Sequence, residues 1–218
     1  MNNPEKIILS FDLDNTLIDN RIGIINSFNY ALNKFNLPSI CSDEIEKMIG
    51  IPLDQMFEKI SNINPKLLSS TFREYYGKKG IYQAKLIMGV KRKLEEFKEK
   101  KFILGVITSK KQEMAIKIVE FLEISNYFDF IIGESEQIKS KLDPNLSKYL
   151  INNFPDYKII IIGDHPKDKA LAKNIKAPFI GVLTGNHSAN QLKQNYLLNT
   201  VIVKSIRDIN YKVIISLL

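Results

Sequence analysis

The stretch Ile7–Leu17 constrains the fold more than any other part of the chain. Its first part, Ile7–Phe11, is almost wholly apolar and has the length and composition of a buried parallel strand. The strand ends in Asp12 and Asp14, and alternate residues of an extended chain point to the same face. Open α/β sheets bind ligands at the carboxyl ends of their strands, so we expect both carboxylates to point into one crevice.

Two carboxylates this close raise each other's pKa unless a cation lies between them. Mg²⁺ suits such a site, because it binds through one or two carboxylates and takes phosphate oxygens as further ligands. A calcium-binding EF-hand loop is excluded, because its sixth and twelfth positions require Gly and Glu and here hold Leu17 and Gly23. A solvated turn after a strand can also contain Asp-x-Asp, so this stretch alone leaves both a metal site and a turn open.

A second strand of the chain ends in the same way. Ile159–Ile162 is a continuous apolar run, and Asp164 and Asp168 follow it, four residues apart. Two buried strands that both run into paired carboxylates favour a joint metal site over two ordinary acidic turns. His165 lies in the same segment, but Mg²⁺ prefers oxygen ligands, so we predict that His165 is a surface loop residue.

Hydrophobic periodicity divides the chain into two kinds of segment. Residues 19–88 have the spacing of helices and no strong strand, whereas strands and helices alternate from Gly89 onward. This alternation predicts an α/β fold, with a Rossmann-like, mostly parallel sheet covered by helices on both faces. We expect a core domain of residues 1–18 and 89–218, with a helical insertion at 19–88. The strands predicted after the first are 102–107, 128–132, 158–162, 179–183 and 200–203, and the predicted core helices are 90–100, 111–122, 144–153, 167–174 and 206–218.

The composition is that of an ordinary globular protein, with 44% hydrophobic and 25% charged residues. No apolar stretch reaches the roughly 18 residues of a membrane span. No apolar signal core precedes the first strand, so we expect a cytoplasmic protein with no membrane partner. The single cysteine, Cys41, excludes an internal disulfide and a cysteine metal cluster.

The formal charge of +7 indicates acidic partners. A small phosphorylated substrate and a nucleic acid both fit this charge. The chain has no long basic run and no nucleic-acid motif, so we expect the small substrate and no nucleic acid. A monomer and a homodimer are equally compatible with the sequence.

The two acidic segments resemble motifs of the haloacid dehalogenase (HAD) superfamily. Phe11–Leu17 is similar to the first motif of that superfamily, Asp-x-Asp-x-Thr. Gly163–Asp168 is similar to its fourth motif, Gly-Asp-x-x-x-Asp.

Two further motifs lie between them in the expected order. The second HAD motif is a Thr or Ser at a strand end, which Thr108 resembles, with Ser109 as its neighbour. The third motif is a basic residue, often followed by Pro-x-Pro, and Lys141 with Pro144 is similar to it, although Leu142 replaces the first proline. Together the four motifs span nearly the whole chain.

The resemblance implies a Mg²⁺-dependent phosphatase that forms an aspartyl-phosphate. Asp12 would be the nucleophile, and Asp14 would protonate the leaving oxygen and then deprotonate the attacking water. The dehalogenases of the superfamily lack this second Asp, so Asp14 favours phosphoryl chemistry over halide chemistry. Thr108, Ser109 and Lys141 would bind the phosphoryl group. The implied Mg²⁺ ligands are Asp12, Asp14, Asp164 and Asp168.

The inserted residues 19–88 lie where this family has its mobile helical cap. Ile49–Leu53 and Thr108–Lys110 look most like the phosphoglycolate phosphatase branch, so we expect a small, phosphoglycolate-like phosphate monoester as substrate. Mutases of the β-phosphoglucomutase type have a Lys and an Arg in the cap loop, where this chain has Ile49 and Leu53. The open alternatives are such a phosphomutase, a pyrophosphatase or nucleotidase, and a non-catalytic HAD-like binding module.

Overall fold

The computed structural model describes residues 6–193 and 199–218. The chain divides into two compact units: one contains the chain up to Ile18 and from Leu86 onward, and the other contains Asp19–Lys85. The predicted insertion extends slightly further, to residue 88, and its role as a separate domain stays a prediction. Among the described residues, no helix is both long and apolar enough to cross a membrane.

The described part of the chain contains two β-sheets. In chain order the strands are β1 (Lys6–Phe11), β2 (Ile18–Asp19), β3 (Lys85–Leu86), β4 (Ile103–Lys111), β5 (Phe130–Glu134), β6 (Tyr157–Gly163), β7 (Phe179–Val182) and β8 (Thr200–Val203). Six of them form a sheet in the order β5-β4-β1-β6-β7-β8, and all neighbours in this sheet run parallel. Strands β2 and β3, each of two residues, pair with each other.

The described helices are distributed over the two compact units. Those of the inserted unit are α1 (Arg21–Lys34), α2 (Ser42–Met48), α3 (Leu53–Glu58) and α4 (Pro65–Lys78). Those of the core are α5 (Val90–Glu99), α6 (Gln112–Phe121), α7 (Pro144–Asn153), α8 (Pro166–Asn174), α9 (Ala189–Lys193) and α10 (Tyr211–Ile215). Short 3₁₀ turns lie at Gly80–Gln83, Ser125–Tyr127 and Ile206–Asp208. This arrangement confirms the predicted fold class.

The central strand β1 sets the position of the site. Its residues Ile8, Leu9 and Phe11 are fully buried. Phe11 lies opposite Val106 of β4 on one side and Ile162 of β6 on the other. The chain builds the β4 side of the sheet first and then returns to the β6 side, so the carboxyl end of β1 is a topological switch point where α/β sheets bind ligands.

One predicted core helix is wrong. The segment 206–218 contains a 3₁₀ turn followed by the short helix α10 instead of a single helix. The break has a local cause, because the side chain of Asn210 accepts a hydrogen bond from the backbone N–H of Val213 and so starts a new helix. The other core elements lie within two residues of their predicted ends, except that β4 continues beyond 107 to Lys111.

Aromatic side chains fill the centre of the inserted unit. Phe28 of α1 stacks on Phe57 of α3, with ring centroids 4.1 Å apart, and Phe72 of α4 meets Phe57 edge-on. Beside them Gly23 of α1 lies against the backbone of Gly80, so close that a Cβ on Gly23 would overlap the Gly80 carbonyl oxygen. Only glycine at position 23 permits this approach.

We therefore expect Gly23→Ala to destabilise the inserted unit. In an open helix the change would stabilise by about 1 kcal/mol, because alanine is the better helix former. Here the overlap with Gly80 outweighs that gain, and we expect a net loss of about 1–3 kcal/mol in the free energy of unfolding, measured by urea denaturation. The exposed Lys34→Ala in the same helix is the control, with an expected change within about 0.5 kcal/mol. A Gly23→Ala protein as stable as the parent would contradict this packing.

Candidate active site

Asp12 and Lys141 form the centre of the site. Asp12 directly follows β1, and its backbone N–H donates to the carbonyl oxygen of Ile162, which ties it to β6. The Lys141 side chain is only 3% exposed, and its Nζ lies 2.5 Å from Asp12 Oδ1 and 2.5 Å from Asp168 Oδ1. One buried ammonium group thus joins a residue of the first acidic segment to a residue of the second.

Asp168 and Asp164 are placed by the end of β6 and the start of α8. Asp168 Oδ2 accepts a 3.0 Å hydrogen bond from the backbone N–H of His165, which completes a capping box at the start of α8. The absence of a side chain at Gly163 makes room for the Asp168 carboxylate, and Gly185 does the same for Asp164. Both carboxylates are buried, so their positions are fixed by packing as well as by hydrogen bonds.

Three carboxylates therefore converge. Each of Asp12, Asp164 and Asp168 offers an oxygen, and these oxygens all lie within 4.8 Å of one another. Carboxylate oxygens are hard ligands of the kind that divalent cations such as Mg²⁺ and Ca²⁺ prefer. Three carboxylates beside the one ammonium of Lys141 leave a formal charge of −3 + 1 = −2, which one divalent cation would neutralise. The cluster can hold a divalent metal ion.

The pKa values of the cluster residues also favour a bound cation. Burial, together with the neighbouring carboxylates of Asp12 and Asp168, raises the pKa of Asp164 to about 8. Burial also raises the pKa of Asp12, although Lys141 opposes the shift. Burial alone would lower the pKa of Lys141, but Asp12 and Asp168 outweigh burial and raise it. Lys141 therefore stays charged, whereas a further cation would help Asp12 and Asp164 to ionise together.

The side chain of Asp14 lies outside this three-carboxylate cluster. Its Oδ2 is 2.9 Å from Nζ of Lys110, a residue that the sequence analysis did not place in the site. Burial raises the pKa of Asp14, and Lys110 opposes that shift. The metal-ligand role predicted for Asp14 stays a prediction, since the contact that the structure gives its carboxylate is with the ammonium group of Lys110.

The second motif lies in the carboxyl-terminal half of β4. Thr108 is buried, and its Oγ1 accepts a 3.2 Å hydrogen bond from the backbone N–H of Lys110. Ser109 is exposed. The helix predicted at 111–122 begins at Gln112, because the chain stays extended to Lys111. The phosphoryl-binding roles of Thr108 and Ser109 stay predictions.

Thr16 also contacts the cluster and was not predicted as a site residue. Thr16 is fully buried, and its Oγ1 donates to Asp164 Oδ1 over 3.5 Å. His165, predicted to be a surface loop residue, lies in the bend before α8 but is half-buried, and its Nδ1 caps that helix by accepting from the backbone N–H of Lys167. The ring of His187 packs edge-on against His165, with centroids 4.5 Å apart. Thr16 could have been found from its place in Asp-x-Asp-x-Thr, whereas His187 has no counterpart in the motifs.

Comparison with known proteins identifies the family. Residues 8–182 match the family described as haloacid dehalogenase-like hydrolase. The chain belongs to this family. The predicted superfamily and the predicted enzyme class, a hydrolase of this family, are therefore confirmed.

Individual relatives of this haloacid dehalogenase-like hydrolase cover most of its length. A Caldanaerobacter subterraneus protein provisionally named pyrophosphatase PpaX is 31% identical over 166 residues, which cover 75% of this chain and 76% of the relative. The phosphoglycolate phosphatase of Aquifex aeolicus is 30% identical over 166 residues, which cover 74% of this chain and 77% of the relative. A haloacid dehalogenase-like hydrolase from Streptococcus pneumoniae has a similar solved structure, with a TM-score of 0.80, 30% identity and coverage of 91% and 94%.

The raised pKa of Asp164 predicts how stability depends on pH in the metal-free protein. Between its ordinary value of 3.8 and about 8, folded Asp164 holds a proton that the unfolded chain has lost. Rising pH therefore lowers the free energy of unfolding, by up to about 1.4 kcal/mol per pH unit. Burial lowers the pKa of His165 to about 4, so this histidine contributes with the opposite sign below about pH 6.5 and is neutral in both states above pH 7.

The measurement is urea unfolding in EDTA at about pH 7.5 and about pH 8.5, where a histidine of ordinary pKa is almost wholly neutral. We expect the parent protein to be less stable at the higher pH and the Asp164→Asn variant to show a smaller difference, because it lacks one of the carboxyl groups whose pKa burial raises. A parent protein that gains stability over the same pH interval would contradict a raised pKa for the buried Asp164.

Proposed function

We propose that the protein is a Mg²⁺-dependent phosphatase that hydrolyses a small phosphate monoester through an aspartyl-phosphate on Asp12. The observation that carries this proposal is the buried contact of Asp12 with Lys141 inside the three-carboxylate cluster. An aspartate can act as a nucleophile when its surroundings bind the group that it attacks. Lys141 supplies a fixed positive charge beside that aspartate, where the negative charge of a phosphoryl group would otherwise be repelled.

In the first step, an oxygen of the Asp12 carboxylate attacks phosphorus, and the bond from phosphorus to the ester oxygen breaks. The electron pair of that bond stays on the leaving oxygen, which takes a proton from Asp14 and departs as an alcohol. Lys141 and Thr108 bind the transferring group and offset the charge that spreads over its oxygens.

In the second step, Asp14 takes a proton from a water molecule, and the water oxygen attacks phosphorus. The bond from phosphorus to Asp12 breaks, orthophosphate leaves, and both aspartates return to their starting states. The same side chain thus serves as the acid in one step and the base in the next.

Mg²⁺ is the cation that we propose for the cluster, held by Asp12, Asp164 and Asp168. The donor atoms fit, since all are carboxylate oxygens, and so does the formal charge of −2 at the cluster. When bound, Mg²⁺ would neutralise charge on the phosphoryl oxygens during transfer. Asp14 as a fourth ligand, implied by the resemblance, belongs to this proposal as well.

The substrate class follows from the relatives and from charge. One relative is named a phosphoglycolate phosphatase and another a pyrophosphatase, so the leaving groups of both named substrates are themselves anions. An excess of positive charge, +7 over the chain, favours such substrates by electrostatic steering. We propose a phosphoglycolate-like monoester as the substrate, with pyrophosphate as the second candidate.

Phosphate release from a panel of esters tests this function. The panel contains phosphoglycolate, pyrophosphate, a sugar phosphate and a nucleotide, each assayed with Mg²⁺ and with EDTA. We expect release only with Mg²⁺ and fastest from phosphoglycolate, whereas pyrophosphate as the fastest substrate would select the second candidate. No release from any compound by folded protein would contradict a phosphatase, and interconversion of sugar phosphates without release would indicate a mutase.

Asp12→Asn tests the nucleophile. We expect kcat to fall by about 10³-fold or more, because the amide cannot form the covalent intermediate, while the protein stays folded by circular dichroism. The exposed Asp156→Asn is the matched control and is expected to keep full activity. An Asp12→Asn protein with more than about a tenth of the parent kcat would exclude Asp12 as the nucleophile.

A further inference from the structure

We propose that Lys110 is the positioning residue for Asp14: its ammonium group holds the Asp14 carboxylate in the place from which it exchanges protons with the leaving group and with water. The inference rests on the proposed phosphatase function, because that function gives Asp14 its role. It assigns a task to a lysine outside the residues predicted from the sequence.

The contact is a shielded ion pair. Lys110 Nζ lies 2.9 Å from Asp14 Oδ2, and the two side chains are only 10% and 27% exposed. By contrast, the ion pair of Lys78 with Glu74 has side chains that are 72% and 63% exposed. Water and salt screen an exposed pair strongly, and holding it in one geometry gains little. The Lys110–Asp14 pair is screened much less, so it can hold the carboxylate in one orientation.

Lys110 is itself fixed by its backbone. Its N–H donates to Thr108 Oγ1, in the part of β4 where the register with β5 shifts. The next turn is clamped to β5 by Gln112, whose side-chain amide donates to the carbonyl oxygen of Ile131 over 2.8 Å and accepts from the N–H of Gly133 over 2.5 Å. Because the backbone of this segment is held in place, Lys110 can restrain the carboxylate that it contacts.

The backbone of Asp14 is constrained as well. Asp14 forms an isolated β-bridge with Ile18, and the N–H of Asn15 donates to the Ile18 carbonyl oxygen over 2.8 Å. Asn15 has a positive φ of 56°, typical of the tight turn that follows Asp14. With the backbone held, the side-chain torsions are the remaining freedom of Asp14, and the contact with Lys110 restrains them.

The two lysines of the site contact different carboxylates. Lys141 contacts Asp12 and Asp168 at the three-carboxylate cluster, whereas Lys110 contacts Asp14. Asp14 is thus held by a different lysine from the one that contacts the three-carboxylate cluster. Proton transfer requires hydrogen-bond reach of the leaving oxygen, so a misplaced Asp14 slows both steps without weakening substrate binding.

The test compares Lys110→Met, Lys110→Arg and, as the matched control, Lys111→Met, whose side chain is exposed at the neighbouring position. For an alkyl phosphate, we expect Lys110→Met to lower kcat by about 10²-fold with KM changed by less than about 3-fold. Arginine at position 110 restores the charge and should recover at least about a tenth of the parent kcat. Lys111→Met should leave both constants unchanged.

An aryl phosphate separates the two chemical steps. Its phenolate leaves without a proton, so Lys110→Met should keep a rapid burst of p-nitrophenolate, equal to the enzyme concentration, followed by slow turnover limited by attack of water. A burst slowed as much as the turnover of the alkyl ester, or a loss confined to KM, would show that Lys110 binds the phosphoryl group or substrate and would overturn the proposal.

A crystal structure of Lys110→Met gives a readout that does not depend on activity. We expect the Asp14 carboxylate to leave its place or to occupy several rotamers, and an unchanged Asp14 would overturn the proposal. Failure of the proposed function is seen separately, as an absence of Mg²⁺-dependent phosphate release in the parent protein. In that case the structure still decides whether Lys110 positions Asp14.

Discussion

The site depends on one buried ammonium group. Ionised carboxylates taken out of water without a partner cost several kcal/mol each. Lys141 makes their burial possible, because its Nζ contacts Asp12 and Asp168 at once. The loop that carries Lys141 is fixed by Asp143, whose carboxylate accepts hydrogen bonds from the backbone N–H groups of Lys139 and Asn145. A helix cap in the third motif thus places the charge on which the first and fourth motifs depend.

The sheet brings these groups together because β1 lies between β4 and β6. The ends of three neighbouring strands supply Asp12, Thr108 and Asp164 at one edge. Glycine at positions 163 and 185 leaves space for carboxylates that any larger residue would displace. Strand order, small residues and charge therefore act together, and none of them alone would bring the three carboxylates and Lys141 together.

Much of this was predictable from the sequence, for physical reasons. Apolar runs that end in carboxylates identified β1, β6 and the acidic residues, because buried parallel strands and their carboxyl ends have distinctive composition. Lys110 was missed, since the sequence gives no sign that β4 stays extended to residue 111 and carries this lysine to Asp14. The single closing helix was wrong for a similar reason, because the cap at Asn210 outweighs helical periodicity.

The central claim is that Asp12 becomes covalently phosphorylated during turnover. The most direct measurement is acid quenching of the Asp14→Asn variant with an aryl phosphate and Mg²⁺, followed by peptide mass spectrometry. Without the base for the second step, we expect the peptide containing Asp12 to gain the mass of one phosphoryl group, stoichiometric with enzyme and absent when EDTA replaces Mg²⁺. Release of phosphate by the parent enzyme, with no phosphorylated Asp12 in either protein, would contradict the account.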